Sequence, residues 1–230
     1  RKLDAIRNEI DRINLNPIEK STLLTSLLLA LDKVDSTLGH QSAYLKKWSP
    51  RSFNTLKLEI PDYKMHEKSH KVLNRKAHLI LDEVDLMYAD VPYGTSNIKM
   101  PTSRVRYDSY YHLYKSVVLN DKPEVFGRNN RRLDSKDNLA LSDFESTDPQ
   151  VVKNAFAELF NIKAKCFLFS YSTTAKLHVQ NDLLPLIESK ANIVSINKID
   201  HKKHVMSNMS WTNEWNQDTE NFEYLILAKI

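Results

Sequence analysis

Glycine and cysteine are nearly absent from this chain. Its 230 residues hold three glycines, Gly39, Gly94 and Gly127, and one cysteine, Cys166. The glycines are too far apart to form a Gly-x-Gly turn, which excludes a glycine-rich phosphate or cofactor loop within these residues. A single cysteine excludes an intramolecular disulfide and a Cys-rich zinc site. Its setting, Cys166-Phe167-Leu168-Phe169, is that of a buried thiol. No apolar run reaches the ~20 residues that span a bilayer, and no signal-peptide pattern is present, so the cytoplasm is the expected compartment. Charge is also close to balanced. With 33 Lys and Arg against 29 Asp and Glu, the net +4 permits a nucleic-acid partner without demanding one. His201 and His204 lie three apart with no third ligand nearby, so no metal site is expected. There is no nucleophile elbow of the Ser/His/Asp kind.

What is present suits a globular protein. Hydrophobic residues make up 41% and charged residues 27% of the chain, which is ordinary for a packed domain. Residues 1–48 predict helices. Leu3, Ile6, Ile10 and Ile13 recur at helical spacing, Asn16-Pro17-Ile18-Glu19 forms a helix start, and Leu23 to Val34 carries a long apolar stripe. Residues 49–70 are polar and broken by Pro50 and Pro61. Lys71-Val72-Leu73-Asn74 predicts a short strand, in a stretch where basic residues dominate. Val84 to Ala89 predicts a second strand, running into Asp90-Val91-Pro92-Tyr93. A carboxylate, a proline and an aromatic after an apolar run mark a strand entering an exposed turn, and ligands of α/β sheets bind at that carboxyl end.

Downstream, residues 99–136 hold nine Lys and Arg, four Asp and Glu, and five aromatics. Basic and aromatic residues interleaved in this way suit backbone contact and base stacking, although some of the tyrosines are expected in a helix core. Asp148-Pro149 caps a helix, Lys165 to Tyr171 is a buried strand ending in Ser170-Tyr171-Ser172, and His178 to Ile187 is helical. Asn192–Ile196 and Phe222–Ile230 complete the strands. The alternation predicts an α/β sheet of Rossmann type.

Asp90-Val91-Pro92-Tyr93 resembles the Asp-Pro-Pro-Tyr signature of DNA adenine-N6 methyltransferases, with Val91 in place of the first proline. The likeness continues in order along the chain. Leu27 to Val34, Thr37-Leu38-Gly39 and Tyr44 to Trp48 precede the motif. Tyr107 to His112, Asp121 to Arg128, Ser142-Asp143-Phe144, Ala155-Phe156 and Ser170-Tyr171-Ser172 follow it. Together they resemble the Dam-like and FokI-type enzymes of restriction–modification systems. The resemblance implies S-adenosylmethionine as cofactor, contacted by Asp90 and Ser170, and double-stranded DNA as partner. Asp90 and the Val91 carbonyl would each accept one adenine N6–H, Pro92 would shape the turn, and Tyr93 would stack on the flipped base. Tyr107, Tyr111 and His112 would line the pocket or contact DNA, and Arg128, Arg131 and Arg132 would meet phosphates.

The chain departs from that pattern in three places. The family's Phe-x-Gly-x-Gly loop is absent, Arg75 or Lys76 stands where an acidic residue follows the Lys71–Asn74 strand, and Ser36 replaces a common Asn. The family's first two strands lie between the third strand and the motif strand, so their absence would leave a central strand as an exposed hydrophobic edge. The expectation is an incomplete Rossmann-like methyltransferase sheet: a helical segment at 1–63 and a catalytic half at 64–230, in a fragment or one chain of a split enzyme. A second chain or a preceding segment would then bring the cofactor loop. The alternative is a catalytically silent DNA-binding or assembly subunit on the same scaffold. RNA in place of DNA is compatible with the same amine chemistry.

Overall fold

The computed structural model describes residues 2–37, 39–41, 45–64, 67–80, 82–94, 96, 107–136, 142–200 and 222–230. The reading of His201 and His204 falls outside them. The chain divides into two compact units, one of Arg1–Lys71 with Asp108–Lys136, the other of Val72–Tyr107 with Asp137–Ile230.

The first unit is helical. It contains α1 (Lys2–Arg12), α2 (Pro17–Asp32), all but the first residue of the short α3 (Tyr107–Tyr110), α4 (His112–Leu119) and a two-stranded hairpin of β2 (Val125–Phe126) and β3 (Arg131–Arg132). The start of α2 is written locally. Asn16 Oδ1 accepts from the Ile18 and Glu19 N–H groups, and the Asn16 N–H donates back to Glu19 Oε2. This reciprocal pair satisfies donors that a helix start leaves orphaned. Ile10, Leu27, Leu31 and Val117 then form one buried cluster. Arg7 fixes the register of α1 against the end of α4, where its Nε donates to the Val117 carbonyl at 2.5 Å and its Nη2 to that of Val118 at 3.0 Å. The last carbonyls of a helix have no partner within it, and here a buried guanidinium supplies one. The expected boundary at residue 63 therefore does not describe the packing. Residues 108–136 belong with the N-terminal helices because Leu113, Tyr114 and Val117 pack on them.

The second unit is built on a four-stranded sheet in the order β1-β4-β6-β5. Its strands are β1 (Val84–Asp90), β4 (Ala164–Ser172), β5 (Asn192–Asp200) and β6 (Phe222–Lys229). β1 runs parallel to β4, and β6 runs antiparallel to both β4 and β5. Between β1 and β4 lies α5 (Pro149–Leu159), started by Asp148, whose carboxylate accepts the Gln150 N–H. Between β4 and β5, a π turn at Val179–Leu183 leads into α6 (Leu184–Glu188). The α/β class is as expected, and the sheet is mixed.

One face of this sheet is core. Phe167, Phe169 and Tyr171 of β4 are fully buried, with Val152, Phe156 and Leu159 of α5 packed in the same cluster. Phe156 sits among three rings, 5.1 Å from Phe144, 6.0 Å from Phe169 and 5.3 Å from Tyr171. The other face is different at β1, where Leu86 and Tyr88 are 50% and 55% exposed. Among the described residues β1 is an edge strand with one hydrogen-bonding side unpaired, although its sequence is that of an interior strand.

The strand expected at Lys71–Asn74 does not form. These residues have no regular structure and Val72 is 96% exposed. A β-prone tetrapeptide with no neighbouring strand has no ladder to join. Phe156→Ala, at the centre of the aromatic cluster, should lower the unfolding free energy of the second unit by about 3–5 kcal/mol in urea titration. A loss below about 1 kcal/mol would contradict this account of the core.

Candidate active site at the carboxyl end of β1

The alternation of β1 decides what its last residues do. Ala89 and Val91 are buried in the cluster beneath the sheet, at 4% and 8% exposure, while Asp90 between them is exposed on the other face. Burial of the Val91 side chain restrains the turn where a proline ring would otherwise fix φ. Asp90 is the register partner of Ser170 on β4, so both side chains leave the sheet on the same face. Pro92 is half-buried, as is Tyr93. The Tyr93 ring meets Tyr171 edge-on, centroids 5.4 Å apart at 66°, and its hydroxyl is bonded to Ser172. Burial, and next the charge of Glu223, push the Tyr93 phenol up to about 12, so it stays protonated at neutral pH.

Ser170 is 7% exposed and its hydroxyl donates to Glu223 Oε1 at 2.7 Å. Glu223 is the second residue of the closing strand β6, opposite Ser172. Sequence reasoning missed it, because its partner lies 53 positions away and only the antiparallel register brings the two together.

A cavity of about 520 Å³ runs alongside Met87–Pro92, bounded by Asn74–His78, Ser142–Phe144 and the α5 residues Ala155, Glu158 and Leu159. It lies within the size range of small-ligand pockets. Around it, Lys76 faces Asp143 at 3.6 Å and His78 Nδ1 lies 3.1 Å from Glu158 Oε2. Asp90 lines this cavity and Ser170 does not. A cationic methyl donor fits the Asp90 carboxylate, whereas the glycine turn that would cradle its remainder has no counterpart in 1–230.

The other expected site residues fall in both units. Tyr107 belongs to the same unit as Asp90, and its N–H donates to the buried Glu145 carboxylate at 2.8 Å. Tyr111, His112, Arg128, Arg131 and Arg132 belong to the helical unit. Tyr111 is 40% exposed and stacks on Tyr114, centroids 6.0 Å apart. Arg128 is exposed at the hairpin tip, next to Gly127 at φ 68°. Arg131 lies over the Phe126 ring at 4.9 Å and bonds Ser109 Oγ and the Ser135 carbonyl.

Two expectations are corrected by burial. Arg132 is 4% exposed and grips Asp121 with two nitrogens at 2.6 and 2.7 Å. It also bonds both oxygens of Asp134, whose carboxyl it holds down to about 2. A guanidinium committed to two carboxylates is a scaffold tie and has no donor to offer a phosphate. His112 is 5% exposed with Nε2 3.0 Å from the Gln41 carbonyl. It is an internal strut of the helical unit.

Residues 1–183 match the D12 class N6 adenine-specific DNA methyltransferase family. The chain belongs to this family. Curated relatives of this D12 member include the modification methylase StsI of Streptococcus sanguinis, 30% identical over 93% of this chain. The type II methyltransferase M.FokI of Planomicrobium okeanokoites is 30% identical over 57% of it. The modification methylase LlaI of Lactococcus lactis subsp. lactis is 29% identical, also over 57%. The chain spans 32%, 20% and 21% of those relatives respectively. No solved structure matches it. Among the described residues, no helix is long and apolar enough to cross a membrane.

Burial pushes the His112 pKa below its ordinary value. The unfolded chain therefore takes up this proton at about pH 6.5 while the folded unit still excludes it, so stability is complete above that pH and falls as pH drops. Thermal melts from pH 7.5 to 5 should show this fall in the wild type and a flatter profile in His112→Gln. Equal slopes would contradict the assignment.

Proposed function

We propose that this chain forms the amine-binding side of a site-specific DNA adenine-N6 methyltransferase of a restriction–modification system, acting in the cytoplasm on double-stranded DNA. One observation carries the reading: Asp90-Val91-Pro92-Tyr93 directly ends a parallel strand, with Asp90 open to solvent and Val91 locked into the core beneath it. An adenine N6 lone pair is delocalised into the ring and is a poor nucleophile. A carboxylate and a backbone carbonyl that each accept one N6–H favour a pyramidal nitrogen and direct its lone pair outward. This is positioning with preorganised electrostatics, and no covalent enzyme intermediate is needed. Tyr93, held as a phenol by burial, borders the turn and offers ring surface to a base drawn out of the duplex. S-Adenosylmethionine, when bound, supplies the methyl group. Asp90 is the residue of this chain that would face it across the cavity beside β1.

DNA contact falls to Tyr111, Arg128 and Arg131 of the helical unit, with Tyr107 lining the base pocket. The open side of β1, with Leu86 and Tyr88 exposed beside it, supports a further element: a polypeptide carrying the glycine cofactor loop pairs with this edge, either as another part of the same protein or as a separate chain. The second reading, a silent DNA-binding or assembly subunit, is favoured by Val91 in place of a proline and by the unformed strand at 71–74.

The discriminating variant is Asp90→Ala in the native enzyme preparation. Transfer of labelled methyl groups to duplex DNA should fall about a hundredfold or more, as when one preorganised hydrogen-bonding group is removed from a reaction centre, with DNA affinity retained. Wild-type transfer in the variant would overturn the catalytic reading, and a wild-type preparation that binds DNA without methylating it would establish the silent one.

A further inference from the structure

A serine hydroxyl carries one hydrogen and two lone pairs, so the partner that takes its hydrogen decides what the oxygen can offer elsewhere. Ser170 gives its hydrogen to Glu223 at 2.7 Å. Its register partner across the parallel ladder is Asp90, whose carboxylate accepts only. On the other side, the Ser172 hydroxyl is shared with Thr174 Oγ1 at 3.0 Å and accepts the Thr174 N–H at 3.2 Å.

Resting on the adenine reading above, we infer that Glu223 is a positioning residue for selectivity: by holding the Ser170 hydrogen, it keeps that hydroxyl from offering a donor beside the Asp90 carboxylate. A surface without that donor receives an exocyclic amine, which brings two hydrogens, and rejects a carbonyl, which brings none and would face lone pairs. Without Glu223, Ser170 Oγ–H is free to turn towards Asp90 or an incoming oxygen, and the distinction between amine and carbonyl weakens. The effect of Glu223 on the Tyr93 phenol agrees with a charge close to this end of the sheet. A purely structural role, fastening β6 to β4, would leave ligand selectivity unchanged.

The test uses adenosine and inosine, which differ by an amine against a carbonyl at the reacting position, as probes in saturation-transfer NMR with the native enzyme preparation. Wild type should favour adenosine about tenfold, the scale of one hydrogen bond made against one left unmade. Glu223→Ala should reduce that ratio to about twofold or less, whereas Ser170→Ala, which has no hydroxyl to turn, should keep it, and the double variant should recover it. Glu223→Gln keeps an acceptor oxygen and should restore at least half of the preference. It also serves should Glu223→Ala fail to fold, and its partial loss is then the readout. A wild-type ratio near one, an unchanged ratio in Glu223→Ala, or a double variant as unselective as Glu223→Ala would overturn the inference. A wild type that selects adenosine yet never methylates DNA would leave this inference standing and defeat the proposed function instead.

Discussion

The parallel pairing of β1 with β4 is the constraint on which the candidate site depends. Six register pairs run from Val84 with Ala164 to Asp90 with Ser170, and strand side chains alternate faces with a period of two. A slip by one residue would bury Asp90 and expose Val91. That slip is opposed by the aromatic cluster, because Phe167, Phe169 and Tyr171 fit beneath the sheet against Phe156 in one register only. The position of the carboxylate therefore follows from apolar packing on the opposite face. The polar cluster of Asp90, Ser170, Ser172 and Glu223 is held by strands whose other side is core.

The helical unit uses charge in a different way. Arg7 and Arg132 are both buried, and neither is spent on solvent or on a ligand. One closes the carbonyl end of α4 and the other ties Asp121 and Asp134 beside the hairpin. Breaking such a tie leaves its partners uncompensated, which is how a buried guanidinium specifies a single arrangement of helices and hairpin. Of the arginines in this stretch, exposed Arg128 at the hairpin tip is the one best placed to meet an anion.

Local features were legible in the sequence. The helix starts at Asn16 and Asp148, the four strands of the sheet and the Asp90 turn are each written within a few consecutive residues. Tertiary features were not. Arg132 resembles a phosphate contact in a basic stretch until its carboxylates, two and eleven positions away, are seen to close on it. Val72-Leu73 is β-prone, yet a strand needs a neighbour, and propensity does not report whether one is present. Glu223 carries no local signal at all, since its role depends on an antiparallel register set by the whole of β4 and β6.

The edge of β1 is where the account is most exposed to test. In a parallel strand, alternate residues bond to one neighbour and leave the rest facing the other side. Hydrogen exchange of the amides from Val84 to Asp90, followed in the native enzyme preparation, asks directly whether that other side is paired. The account predicts slow exchange along the whole strand. Fast exchange at every second amide would show β1 to be a true free edge, and would contradict a methyltransferase site completed there.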